Sequence, residues 1–337
     1  MSKFNFQKTK TIFFIFLIFT LVIQKGSIKK NNLSAVGFGK IILFNEHFVV
    51  YNVPAIAAAI PQKVISTIIK SDKFELYPKI LEKEDPLKAI NKIFELLNLK
   101  KENLKFTLSF ESQIKPGSGI GSSAAFAVAT IKVLSKYLKL NLSKERINKI
   151  AYEVEKIFHK NPSGIDNTIS TYGGIILFKR DEPEVVKQIS LNEPLFFVIG
   201  ESGKKGYTKK AVEKVKKLKD KNSEEFDLLL NKANKILDKS LSAITNFDLQ
   251  EIGILMDKNH KLLQKIKVST PELDKLVNIA KQNGALGAKL TGGGLGVNMI
   301  ALTKDKITAN KILNAFKKEN FNCFIVKIKQ LKLSNWK

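Results

Sequence analysis

Arginine is almost missing from this chain of 337 residues: only Arg146 and Arg180 occur, although lysine and arginine together number 57 and the formal net charge is +26. Nearly all of that charge is therefore lysine, dispersed along segment after segment. A nucleic-acid face would cluster arginines with stacking aromatics on one element, so no nucleic-acid partner is expected. The lysines read as a solvated surface that attracts small anionic substrates. Cysteine is limited to Cys323 and histidine to His47, His159 and His260. No disulfide framework can form, and the spacing suits no structural metal site. A lone thiol on an expected last strand reads as a small core residue, and the setting as reducing and cytoplasmic. A membrane-spanning run is also lacking. Residues 12–23 are almost unbroken apolar sequence after Lys3, Lys8 and Lys10, but about 12 residues fall short of the ~20 a spanning helix needs. No small-x-small cleavage site follows them. Residues 1–33 therefore read as a hydrophobic extension, either a membrane tether through 12–23 or a start-site artefact.

The rest is long enough for two domains with real cores, and its 44% hydrophobic and 26% charged content is that of a globular protein. Strand-like runs cover 39–51, interrupted at Asn45–His47, then 63–69 and 105–110. Helical periodicity follows Asp85-Pro86 and recurs over 126–138 and 144–159. After a strand at 174–179 the character changes. A strand at 195–199 precedes long lysine-rich helical stretches at 207–245 and 247–266. Then come a helix opened by Pro271, strands at 288–291 and 297–302, a helix at 307–319 and a strand at 323–327. Mixed elements on both sides predict an α+β chain with domains at 34–190 and 191–337.

One stretch suits the holding of phosphates: Pro116, Gly117, Ser118, Gly119, Ile120, Gly121, Ser122 and Ser123, followed by an apolar helix. Its glycines let backbone N–H groups turn toward an anion, and the helix N-terminus adds its dipole. No Gly-Lys-Ser/Thr follows, so it is not a Walker A loop. Alone, it reads equally well as a turn into a buried helix.

Three further groups of residues change that balance. Glu155 lies late in a helix, and Asp166 sits beyond the turn Asn161-Pro162-Ser163-Gly164. Phosphoryl transfer needs such a pair, one carboxylate for Mg²⁺ and one to accept a hydroxyl proton. Ser123 adds a hard oxygen ligand at the helix start. Lys40, with Glu46 and His47, forms the second group, and charge inside a hydrophobic run costs too much unless it faces a cleft. Lys289-Leu-Thr-Gly-Gly-Gly-Leu-Gly296 is the third, a second glycine turn between strands. Each group has a bland explanation when read singly.

Together, and in order, they resemble the GHMP small-molecule kinases. Residues 116–125 resemble that family's phosphate-binding second motif, 39–57 its first motif and 289–296 its third. Residues 159–174 are similar to the branch of the family that phosphorylates mevalonate. The likeness runs from about residue 33 to the C-terminus. It implies a ribosomal protein S5 domain 2-like N-terminal domain, a ferredoxin-like C-terminal domain, and ATP- and Mg²⁺-dependent phosphorylation of the 5-hydroxyl of mevalonate. Residues 116–123 would hold the phosphates, and Ser123 and Glu155 the metal. Asp166 and Lys40 would be catalytic. Glu46, His47, Thr208, Gly293 and Gly294 would contact the acceptor. A homodimer is compatible with the likeness. So are another acceptor, such as phosphomevalonate, and a non-catalytic ligand-binding regulator. Departures from the usual motifs are Phe38, Asn45, Asn52, Leu295 and Asn298. Asparagine tolerates positive φ, whereas a leucine at 295, in a loop of close backbone approach, could crowd the substrate or the phosphates.

Overall fold

Gly37 shows how the molecule is assembled. A Cβ at this position would collide with the carbonyl of Ala125, so strand β1 (Leu33–Phe44) and helix α1 (Ser122–Tyr137) approach backbone to backbone. In the computed structural model, residues 32–78, 84–159, 162–180, 185–204, 206 and 208–329 are described. The apolar stretch 12–23 and most of the extension at 1–33 lie outside them. Among the described residues, no helix is long and apolar enough to cross a membrane.

β1 pairs antiparallel with β2 (Ala55–Lys70), the spine of a six-stranded sheet. β2 is longer than its sequence suggests, because the alanine-rich start, residues 55–58, is buried on both faces and shows no alternation. β3 (Glu75–Tyr77), β4 (Phe106–Ser112), β5 (Ile175–Lys179) and β6 (Val185–Ile189) complete the sheet in the order β3-β4-β2-β5-β6. The second sheet runs β10-β7-β9-β8, entirely antiparallel, from β7 (Leu195–Glu201), β8 (Gly287–Thr291), β9 (Asn298–Thr303) and β10 (Asn322–Ile328). The chain changes sheet between β6 and β7, near residue 190, while Leu33–Lys337 packs as one compact unit.

Two register shifts in β1, at Phe38/Gly39 and at Ile42/Phe44, bracket the first motif. Such irregularities bend a strand and re-aim its side chains, here just before Lys40 and just before Glu46. Phe44, Phe48, Phe197, Leu276 and Phe316 belong to one apolar core that reaches both sheets. Each large side chain contributes about 1.5–3 kcal/mol by leaving water. The stretch read as one helix over 207–245 is two, Thr208–Lys221 and Ser223–Thr245, divided at Asn222, whose side chain caps the second by accepting from the Glu225 N–H.

Candidate active site

Gly117, Gly119 and Gly121 have φ of 74°, 74° and 83°, a left-handed region open to glycine at little cost. Gly121 is the N-cap of α1 and offers no side-chain cap, leaving the N–H groups of Ser122 and its neighbours available to an anion. Pro116, Gly117 and Gly119 are exposed, Ser122 and Ser123 half-buried, and Ser118 and Ile120 buried. The Ile120 carbonyl accepts from the Lys40 N–H at 2.9 Å, which joins the glycine loop to the first motif. The buried Ser118 hydroxyl has no partner among the described residues.

Lys40 is brought to Asp166, Nζ to Oδ1 3.2 Å. Asp166 lies in the first turn of the helix Ile165–Tyr172, whose N-cap is Gly164 at φ 90°. A buried amide network fixes this helix to the one carrying Glu155, Lys144–His159. Asn167 donates to the Asn148 side-chain carbonyl at 2.7 Å, and the Thr168 hydroxyl donates to the Gly164 carbonyl at 2.6 Å. Glu155 is 1% exposed, and its Oε1 has no partner among the described residues. Burial, then the charge of Asp166, pushes its carboxyl up to about 8, against a hydrogen bond from Ser123 and the attraction of Lys40. Ser123 also shares a 3.4 Å hydrogen bond with His159, one turn beyond Glu155. The expected carboxylate pair, lysine, serine and glycine loop therefore converge. Asn161, the first residue of the turn singled out in the sequence, lies outside the described residues, as does Lys160.

Glu46 and His47 are both 4% exposed, although they sit in an apolar stretch. Glu46 Oε1 pairs with the ammonium of Lys289, which is fully buried and also donates to the Leu290 carbonyl at 2.8 Å. Burial holds His47 down to about 4, offset by its hydrogen bond to the Gly293 backbone and reinforced by Lys289. A Cβ at Gly294 would stand 3.2 Å from His47 Nε2, and one at Gly293 would collide with Thr208. Glu46, His47, Gly293 and Gly294 thus share one neighbourhood. Thr208 reaches its edge and is exposed; Tyr207 beside it lies outside the described residues.

A folded value near 4 lies below the ordinary 6.5, so the unfolded chain takes the His47 proton first. This stability is fully present above pH 6.5 and is lost as pH falls toward 4, by about 3 kcal/mol at most. Denaturant titrations across that window are expected to show the decline in the native chain and a shallower one in His47→Gln. Equal slopes would refute the assignment.

Asn45 and Asn52 adopt φ of 69° and 61°, the left-handed geometry that replacing glycine requires. Leu295 is held against the core by its backbone and its side chain. At φ 53° its N–H donates to the Val268 carbonyl at 2.7 Å, and its side chain packs on the core. Val297, at φ 80°, is the residue beside the loop, with Cγ1 3.0 Å from where a Gly119 Cβ would be. Asn298, read as an interruption, donates from Nδ2 to the Ser118 carbonyl at 2.6 Å. Sequence reasoning quoted Lys289 and His159 within motifs without giving either a role, and read Asn298 only as a departure. A lysine in the third motif's otherwise apolar strand was the one available signal.

The GHMP kinases N terminal domain family matches residues 86–174, and the GHMP kinases C terminal family matches 240–323. Mevalonate kinase of Pyrococcus furiosus is 38% identical over 299 residues, covering 79% of this chain and 88% of its own length. That of Saccharolobus solfataricus is 31% identical over 86% and 95%. The solved structure of L. major mevalonate kinase in complex with R-mevalonate is similar with a TM-score of 0.81 at 31% identity, covering 89% of this chain and 96% of that one. The glycine loop, the Lys40–Asp166 pair and the buried Glu155 thus stand in a chain that matches these proteins over most of its length, and the chain belongs to the GHMP kinase family.

Proposed function

We propose that the protein is a mevalonate kinase, transferring the γ-phosphoryl group of ATP to the 5-hydroxyl of mevalonate in isoprenoid precursor synthesis. The observation that carries this reading is the 3.2 Å contact of Lys40 with Asp166 beside the glycine loop, in a chain 38% identical to an archaeal mevalonate kinase.

The transferring group develops little covalent demand on the protein, so positioning and charge do most of the work. Residues 116–123 cradle the phosphates with backbone N–H groups. Asp166 accepts or orients the hydroxyl proton, and Lys40 offsets charge on the transferring oxygens. His47, kept neutral by burial, and Glu46 line the acceptor pocket with Gly293, Gly294 and Thr208. The unpartnered Oε1 of Glu155 beside Ser123 fits Mg²⁺, which takes few protein oxygens and completes its shell with water and substrate phosphates. Among the described residues no three acidic, histidine or cysteine side chains converge, as that mode of binding allows. Bound there, the ion would neutralise phosphate charge.

A coupled ADP-release assay on the full chain tests the reading. Mg²⁺-dependent turnover of mevalonate, with a higher kcat/KM than phosphomevalonate, galactose or homoserine, is expected. A clear preference for another alcohol would overturn the choice of acceptor.

A further inference from the structure

Lys289 has no part in the mechanism so far, yet it is one of the largest fully buried side chains in the molecule. An ammonium group completely removed from water is unfavourable without a partner, and one partner is present, Glu46 Oε1. The pairing leaves the carboxylate half used. Glu46 Oε2 is buried and has no hydrogen-bond partner among the described residues. Nor has His47 Nε2, next in sequence and beside Gly294. A carboxylate oxygen and a ring nitrogen from successive residues are thus left open in the neighbourhood of the third motif. The charge of Lys40, which contacts Asp166, is felt at Glu46, so the free oxygen lies within electrostatic reach of the transfer site.

A purely structural tie would not need this pair. The third motif's strand is already fastened to the first motif by Thr291, whose hydroxyl accepts from the Ile42 N–H and donates to the Ile42 carbonyl, both at 2.9 Å. It is fastened from behind by His260, which accepts from the Leu290 N–H at 3.3 Å. Apolar residues of similar volume usually replace a buried ion pair without loss. A carboxylate oxygen left bare inside the protein is costly unless a ligand takes it.

We propose that Lys289 is a positioning residue for the acceptor. It holds one oxygen of Glu46 so that the other accepts a hydrogen bond from a hydroxyl of the acceptor alcohol distinct from the one phosphorylated. The inference rests on the kinase reading above. It makes Lys289 a determinant of which polyfunctional alcohol binds, acting only through Glu46 and not on the nucleotide.

The test is a double-mutant cycle of Lys289→Met, Glu46→Gln and the two combined, with KM for acceptor, KM for ATP and kcat measured for each. Each single change is expected to raise the acceptor KM about tenfold or more while KM for ATP stays within about twofold. The double variant is expected to match Glu46→Gln, because the lysine has no role once its carboxylate is gone. Effects that multiply in the double variant, or a split falling on ATP, would overturn the proposal. Should Lys289→Met fail to fold, the comparison of Glu46→Gln with the charge-free double variant still decides. If the native chain prefers a different alcohol, the mevalonate reading fails, and the same cycle read on that alcohol judges Lys289 independently.

Discussion

Asp166→Asn is expected to lower kcat by ~10²–10⁴ while ATP binding stays within about twofold, the range seen when a positioned acid–base group is lost. The change keeps the side chain's shape and removes its charge and basicity. Lys40, only 5% exposed, then loses its partner at 3.2 Å. Its ammonium turns toward the phosphates it is meant to neutralise, so nucleotide affinity is preserved while the hydroxyl has nowhere to send its proton. Calorimetry with ADP beside single-turnover assays separates the two. A variant with near-native turnover would remove Asp166 from the chemistry. One that loses ADP affinity in proportion to turnover would make it a binding residue.

Glu155→Gln is the second large effect expected, a loss of about a hundredfold in kcat/KM at fixed Mg²⁺, partly recovered by raising the ion's concentration. Burial holds the native carboxyl up at about 8, so at neutral pH without the ion the group is mostly protonated. Glutamine replaces that neutral form closely and keeps an acceptor for Ser123, and the thermal midpoint at pH 7 is therefore expected to stay put. What disappears is the ability to ionise for a cation. Activity that saturates at the native Mg²⁺ concentration would exclude Glu155 as a ligand.

Local features of the site were legible because local chemistry dictates them. The glycines at 117, 119 and 121 require positive φ. Lys40 interrupts the apolar strand β1, Glu46 and His47 follow it in the turn before the 3-10 helix Phe48–Tyr51, and Glu155 and Asp166 flank a Pro-Ser-Gly turn. The helix at 144–159 was readable to the residue from its periodicity. The start of β2 was not, since a strand buried on both faces shows no alternation. Asn222 was read as interior helix because lysine-rich periodicity continues across it. The partner of Glu46 and the purpose of Asn298 were out of reach for another reason. Lys289 lies 243 residues from Glu46, and Asn298 lies 180 from Ser118, pairings that no periodicity announces.

Those separations bear on how the protein is made. The glycine loop is complete in sequence by Ser123, yet the amide that fixes its Ser118 carbonyl belongs to Asn298. The strand steadying the first motif ends at Thr291, 249 residues after Ile42. During synthesis the early half emerges first and waits for most of the remaining chain before its loop can be held in place. The hold on the Ser118 carbonyl is therefore among the last contacts of the glycine loop that the growing chain can make.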